Sequence, residues 1–296
     1  MKKILFLINP ISGTRGKTSL AALVERKTKE AGIPFEIIAT VADGDYRFLE
    51  NKIKEEGIET IAICGGDGSV NQVVRSLAHL PVKFGIIPMG SGNGLALTAG
   101  IPRNSAKALD ILYKGKAQRT DAFKLNDSFA CMLAGLGFDA AVAHEFAGQK
   151  KRGLAKYTTL TLKHFFGAKP FPFKIEANGF TFDTEAFFIS IANSNQFGNN
   201  FTIAPRASLS DGMLDIVIVK KMIKPRLFWN VMRQVIMGRV RKPENSLRAP
   251  IIYFQCEKLR ILNPGKALLH IDGDPATLME SLEIEVLPNY FDLIGA

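Results

Sequence analysis

Long hydrophobic runs are missing from this chain. No uninterrupted apolar stretch approaches the ~18 residues that a membrane-crossing helix needs. The apolar run Ile4 to Ile8, behind Met1-Lys2-Lys3, is cut off by Asn9-Pro10 and is too short for the core of a secretory signal. It reads as a buried first strand. Cysteine is scarce, and its three copies, Cys64, Cys131 and Cys256, lie far apart without a C-x-x-C pair. That argues against a disulfide framework or a thiolate zinc site and for a reducing compartment. The four histidines, His79, His144, His164 and His270, show no metal-ligand spacing and no H-E-x-x-H. Internal repeats and low-complexity tracts are lacking too.

What remains is a chain of 296 residues, 47% hydrophobic and 22% charged, which has the composition of a folded body of two domains or one large one. Base outweighs acid. Thirty-eight Lys and Arg stand against 28 Asp and Glu, a formal charge of +10, so anionic partners are expected: nucleic acid, an anionic membrane surface, or phosphorylated small molecules. No helix-turn-helix, zinc-finger or RNA-recognition signature accompanies that charge, and nucleic acid is set aside.

The first third alternates strand-like runs (Ile4 to Ile8, Phe35 to Ala39, Thr60 to Cys64, Phe84 to Ile87) with helix-like ones (Thr18 to Glu30, Tyr46 to Glu55, Val70 to Ala78, Ala106 to Tyr113). Strand, helix, strand, helix at this spacing predicts βαβ units and a mostly parallel sheet, with ligands at the carboxyl ends of its strands. Beyond about Asp121 strand-like runs dominate: Phe129 to Leu133, Phe173 to Ala177, Glu185 to Ala192, Leu214 to Val219, Ile251 to Gln255, Lys258 to Leu262 and Leu268 to Ile271. Several are separated by turn signals such as Asn178-Gly179, Asp211-Gly212 and Asp272-Gly273, which points to a second, β-rich domain. The expected division is residues 1–122, completed by 283–296, against 123–282.

Two glycine-rich turns carry most of the functional information. Gly65-Gly66-Asp67-Gly68-Ser69 follows the third strand and opens a helix, and Gly90-Ser91-Gly92-Asn93-Gly94 follows the next strand. Glycines let a backbone approach a phosphate, and a helix start supplies N–H donors. Two such turns on one sheet edge suit a nucleotide, with Asp67 placed to hold a Mg²⁺-phosphate unit; a pair of tight capped turns is the plainer alternative. Asn71 and Leu95 occupy the final glycine positions of G-x-G-x-x-G, and Ile11 the first glycine position of a Walker A loop, so neither fingerprint is present. Gly135-Leu136-Gly137-Phe138-Asp139-Ala140 matches G-x-G-x-x-A formally but falls after the sheet pattern breaks, and reads as interdomain packing.

Late in the chain, His270-Ile271-Asp272-Gly273-Asp274 carries two carboxylates, either a general base or a plain hairpin turn. Ser208-Leu209-Ser210-Asp211-Gly212-Met213 is open between a hairpin and an oxygen-ligand metal site. Residues 149–174 and 220–242 contain no acid, against seven and eight Lys and Arg. The second stretch interleaves Leu227, Phe228, Trp229 and Val231 with Arg226 and Arg233, a pattern fit for an amphipathic helix on anionic lipid or for an ordinary helix with a solvated basic face.

These residues carry a resemblance. Gly65 to Ser69 with Asn71 resembles the GGDGT-x-N motif of the diacylglycerol kinase catalytic-domain family, which includes bacterial soluble lipid kinases and sphingosine kinases. Gly90-Ser91-Gly92-Asn93 is similar to its G-[TS]-x-N turn, Asn9-Pro10 with Ser12-Gly13 to its N-P-x-S-G, and Asp272-Gly273-Asp274 to its D-G-[ED]. The resemblance runs collinearly over nearly the whole chain. It implies an N-terminal α/β domain like that of 6-phosphofructokinase and NAD kinase, a C-terminal β-sandwich, and ATP and lipid meeting in the cleft between.

By the same resemblance Asn9, Thr40, Gly65, Gly66, Asp67, Gly68, Ser69, Gly90, Ser91 and Asn93 would serve ATP, with Asp67 near a catalytic Mg²⁺. Asp272 or Asp274 would be the base, and Ser208, Asp211 and Met213 would bind a structural Mg²⁺. Ser69 replaces the family's Thr, Gln72 a common Glu, and Gly94 the Asp of the bacterial turn; that last stretch is closer to the sphingosine-kinase version. The expected activity is an ATP-dependent lipid kinase acting on a diacylglycerol-like or sphingoid hydroxyl, cytoplasmic and peripheral at an anionic membrane. A soluble NAD kinase-like enzyme and a non-catalytic nucleotide-binding regulator are the alternatives, and a homodimer is one of the assemblies left open.

Overall fold

The computed structural model describes residues 2–8, 17–149, 159–161, 163–164, 167–196, 202–223 and 249–296. Two compact units result: Met1–Thr120 with Asn289–Ala296, and Asp121–Pro288.

In the first unit β1 (Ile4–Ile8) lies between β2 (Phe35–Ala39) and β3 (Thr60–Gly65). Next to β3 comes β4 (Lys83–Pro88), and beyond it the end of β15 (Ser281–Gly295). Each pairing is parallel, in register Ile4↔Phe35, Ile4↔Thr60, Thr60↔Lys83 and Asp292↔Lys83. Ile4, Leu5, Phe6 and Leu7 are consecutive and all fully buried, so β1 is covered on both faces, the reason its sequence is apolar without alternation.

The helices of this unit are α1 (Lys17–Glu30), α2 (Glu50–Glu55), α3 (Asp67–Leu77), α4 (Gly94–Thr98) and α5 (Ser105–Lys114). The stretch Tyr46 to Glu55, read from sequence as one helix, is a 3₁₀ turn Arg47–Leu49 running into α2. In α3 the buried residues Val70, Val73, Val74 and Leu77 recur at i, i+3, i+4 and i+7, one helical stripe against the sheet. Asn104 starts α5 by accepting the Lys107 N–H at 3.0 Å. Gly85 of β4 lets α5 close in, since a Cβ there would lie 2.3 Å from Leu112 Cδ1.

The second unit is antiparallel. β7 (Leu133–Gly137), β8 (Phe171–Ala177), β9 (Phe180–Ala192), β12 (Lys258–Leu262), β13 (Leu269–Ile271) and β14 (Asp274–Ala276) run in the order β14-β13-β7-β9-β8-β12, and β12 continues to the first half of β15. β10 (Leu214–Lys220) pairs with β9 and with β11 (Ile251–Cys256), and β5 (Lys116–Leu125) with β6 (Ser128–Ala130). Phe173, Ile175, Ile189, Ile191, Leu214, Ile216, Leu259, Ile261 and Leu282 gather into its core. Asn178 and Gly179, both at positive φ (50° and 76°), make the two-residue turn between β8 and β9. The run Phe129 to Leu133 is broken between β6 and β7, and the stretch after Gly137 forms a helix, α6 (Phe138–Ala147).

On the surface of the first unit Lys3 and Lys52 bracket two carboxylates. Lys3 Nζ lies 2.6 Å from Glu36 and also pairs with Glu56; Lys52 Nζ lies 2.8 Å from Glu36 and 2.7 Å from Glu56. Hydrogen bonds from Lys3 and then Lys52 hold both carboxyls below the ordinary value of 4.5. A depressed carboxylate stabilises the fold above its unfolded pKa and loses that contribution as pH falls through the folded one. Glu36→Gln should therefore lower the unfolding free energy at pH 7 by about 0.5 kcal/mol after solvent screening. Urea titrations should show the gap closing below about pH 4.5 and in high salt; a gap that persists at pH 2 would exclude charge as its source.

Candidate active site

In a parallel sheet ordered β4-β3-β1-β2 the chain moves to one side of β1 first and to the other side next. Ligands bind at the carboxyl ends of strands where that reversal occurs. Gly65 ends β3 at this point, and Gly66 leads into α3. Thr40, half-buried, follows β2 on the same edge and donates its N–H to Ile8 O at 3.1 Å. Asn9 lies outside the described residues.

The two glycine turns are built against each other. Met89 N donates to Gly65 O at 2.9 Å, continuing the β3-β4 ladder into the turns. A Cβ on Gly66 would meet Gly90 Cα at 3.0 Å, one on Gly90 would meet Gly66 Cα at 2.7 Å and Asn93 Oδ1 at 2.9 Å, and one on Gly65 would meet Ser69 Cβ at 2.6 Å. Only backbone fits between them. Asn93, 3% exposed and in the left-handed conformation (φ 57°), closes its own turn: its Oδ1 accepts the Gly90 N–H at 2.8 Å and its Nδ2 donates to Gly90 O at 2.7 Å. Ser91 is exposed at the tip and Ser69 buried in the first turn of α3.

Asp67 joins the turns. Its carboxylate accepts the N–H groups of Gly94 at 3.1 Å and Leu95 at 3.3 Å, at the start of α4, so two of its lone-pair directions are committed to the fold. Meanwhile α3 opens on Gly66, which has no side chain to cap it, and Gly68 lies in that first turn. A helix leaves its first-turn N–H groups without intrahelical acceptors, and this end faces an anion-compatible edge. Arg103, which motif reading passed over, donates to Gly92 O at 3.0 Å and adds a cation to the second turn.

In the second unit the two carboxylates of the late motif differ sharply. Asp272, 4% exposed with φ 49°, accepts three backbone N–H groups, from Cys131 at 3.0 Å and from Met132 and Leu133 at 2.9 Å. Asp274, the first residue of β14, is exposed. The Ser208 to Met213 loop is tied by Asp121, fully buried, whose Oδ2 accepts the Gly212 N–H at 2.7 Å. Within it Asp211 Oδ1 accepts the Met213 N–H at 3.1 Å and its Oδ2 accepts Gln255 Nε2 at 3.2 Å. The donors there are oxygens, the chemistry a hard cation takes. Among the described residues no three His, Cys, Asp or Glu side chains gather at one point.

Burial pushes the thiols of Cys64 and Cys256 up to about 12, so neither is a nucleophile at neutral pH. Burial likewise raises Asp215, against hydrogen bonds from Tyr253 and Gln255. No motif pointed to Asp121, Asp215 or Tyr253; each lies in a stretch whose sequence reads only as strand or turn.

A parallel α/β unit with paired glycine turns, on a chain whose other half is an antiparallel β unit, defines the class: a two-unit protein of α/β plus β-sandwich-like build. Residues 3–125 match the diacylglycerol kinase catalytic domain, and residues 133–295 the YegS C-terminal NAD kinase beta sandwich-like domain. The chain belongs to that diacylglycerol kinase family. It is 28% identical over 279 residues to a diacylglycerol kinase of Bacillus subtilis (strain 168), covering 93% of this chain and 90% of that one. It is 28% identical over 272 residues to a Yersinia enterocolitica protein named "Probable lipid kinase YegS-like", covering 89% and 88%. A crystal structure of a diacylglycerol kinase from Bacillus anthracis str. Sterne shares the fold, with a TM-score of 0.77 at 21% identity over 100% of this chain and 97% of that one. No helix among the described residues is long and apolar enough to cross a membrane.

Because Asp67 braces α4, its replacement should cost stability with no ligand present. Asp67→Asn keeps the shape but turns one acceptor into a donor facing an N–H. Urea unfolding should show a loss of about 1–3 kcal/mol; an unchanged midpoint would mean that the two amide contacts contribute nothing.

Proposed function

We propose that the protein is an ATP-dependent lipid kinase that moves the γ-phosphate of ATP to the hydroxyl of a diacylglycerol-like or sphingoid lipid. The observation that carries this reading is the pair of glycine turns packed backbone to backbone at the carboxyl ends of β3 and β4. Phosphoryl transfer asks a protein mainly for positioning and electrostatic stabilisation, and such turns supply both without side chains. Gly65, Gly66, Gly68 and Ser69 would cradle the phosphates from the α3 side; Gly90, Ser91 and Asn93 would present the second turn to the nucleotide, with Thr40 and Asn9 beside them. Names of the relatives support the lipid acceptor.

Of the two late carboxylates we assign Asp274 as the base. Asp272 is buried with its carboxylate turned to three backbone N–H groups, whereas Asp274 is exposed to an incoming substrate. Mg²⁺ bound with ATP would supply charge neutralisation on the phosphates, and Asp67 is the carboxylate of the glycine turns that would hold it. Ser208, Asp211 and Met213 remain the positions for a structural Mg²⁺. The basic aromatic stretch 220–242, of which only residues 220–223 are described, would bring the enzyme peripherally to an anionic cytoplasmic surface.

The test is transfer of labelled γ-phosphate to diacylglycerol, monoacylglycerol, sphingoid base and NAD in anionic mixed micelles. Label should enter one lipid, and Asp274→Asn should cut the rate by about 10²-fold or more while leaving the thermal midpoint in place. Label in NAD alone would move the protein to the soluble branch, and full activity in Asp274→Asn would remove the base assignment.

A further inference from the structure

The Gly135-Leu136-Gly137-Phe138-Asp139-Ala140 motif has no part in the chemistry above, and its position suggests one. It is the end of β7 turning into α6, all inside the second unit. Gly137 (φ 99°) makes the turn, at a place where a Cβ would lie 2.4 Å from Phe187 O. Asp139 enters the first turn of α6. One carboxylate oxygen accepts the Ala140 N–H at 2.9 Å and the other lies 3.3 Å from His270 Nε2, with both residues buried. Gly135 is the cross-strand partner of His270, and a Cβ there would fall 2.0 Å from Asp139 Oδ2 and 2.5 Å from His270 Nε2. The glycine is needed because the Asp139–His270 pair occupies its side-chain space.

His270 stands two residues before Asp272, on the three-residue strand β13 that forms a hairpin with three-residue β14. β14 is the outer strand of its sheet. So short an edge hairpin has few ladder bonds of its own to set its orientation. Its backbone anchors are three pairs between β13 and β7 and the Asp272 N–H on Leu133 O at 2.7 Å; side-chain ties add to them, Asp272 to the amides of residues 131–133, His270 to Asp139, and a second contact from α6, His144 Nε2 to Leu269 O at 2.8 Å.

We propose that Asp139 and His270 are positioning residues: their buried contact locks the hairpin onto α6 and so sets the direction in which the Asp272-Gly273-Asp274 turn presents Asp274. The proposal rests on the kinase reading for its catalytic consequence, and on geometry alone for the lock. A displacement of about 1 Å at a reacting group can cost about 10²-fold in rate. Loss of the lock should therefore appear in kcat and leave ATP binding untouched.

The test compares wild type, His270→Leu, which fills the space without a donor, and His270→Gln, which returns an N–H near the Nε2 position. His270→Leu should lower kcat by about 10- to 100-fold with KM for ATP unchanged, and His270→Gln should restore most of it. In parallel, amide hydrogen exchange on the full chain should speed up at residues 131–133 and 269–276 in the Leu variant and return to wild-type rates in the Gln variant. Unchanged exchange in the Leu variant would overturn the lock, whatever the kinetics. Equal losses of kcat in both variants would overturn the positioning role. Wild type that phosphorylates no acceptor would instead overturn the kinase reading, and the exchange data would still decide the lock.

Discussion

The geometry of the edge formed by the two glycine turns depends on one carboxylate. Two backbone turns that touch through Gly66 and Gly90 crowd their peptide groups, and the crowding must be offset by something more directional than van der Waals contact. Asp67 supplies it by reaching from the start of α3 to the N–H groups of Gly94 and Leu95. Charge-assisted bonds of this kind are about twice as strong as neutral ones. They also tie the start of α3 to the start of α4, whose first two N–H groups they satisfy, so that both helix starts belong to one edge. The absence of side chains at residues 65, 66 and 90 has meaning only because that bridge holds the backbones at contact distance.

The second unit repeats the device with different residues. Asp272 gathers three consecutive amides of the β6-β7 connection, Asp121 captures Gly212, and Asp139 takes the Ala140 amide while meeting His270. In each case an aspartate fixes a turn that ladder bonds alone leave undetermined. Asp121, Asp139 and Asp272 are all buried, and the donors around them make that burial tolerable, since an ionised group taken from water without partners costs far more than any turn returns. Arrangements of this kind are poorly served by substitution to the amide, because an amide brings a donor where only acceptors fit.

Strand-helix alternation in the first third was readable because parallel strands buried on both faces are near-continuous apolar runs, as Ile4–Ile8 is throughout and as β3 and β4 are after their first residues, Thr60 and Lys83. Less readable were β5 and β15. Lys116–Leu125 opens with exposed polar residues and Ser281–Gly295 alternates in its first half only, because each passes from one compact unit to the other and changes environment midway. The glycine turns stood out in the sequence, but the use of Asp67 did not: a hydrogen bond to residues 27 and 28 positions away leaves no local pattern. Asp139 was hidden differently. Its motif was visible, yet the partner that explains it, His270, is 131 residues distant, and neither residue looks unusual alone.

The two carboxylates of Asp272-Gly273-Asp274 show how turn geometry divides residues that composition treats alike. A two-residue turn of type I′ needs positive φ at both central positions, and between β13 and β14 Asp272 (49°) and Gly273 (86°) provide it. Asp tolerates that region better than most side chains do. Its short side chain, from this backbone, folds inward to the amides of residues 131–133. Asp274 has already entered the strand, opposite Ile271, and stays exposed. One position in the motif therefore builds the turn and the other is displayed by it, a division enforced by backbone conformation before any question of proton affinity arises.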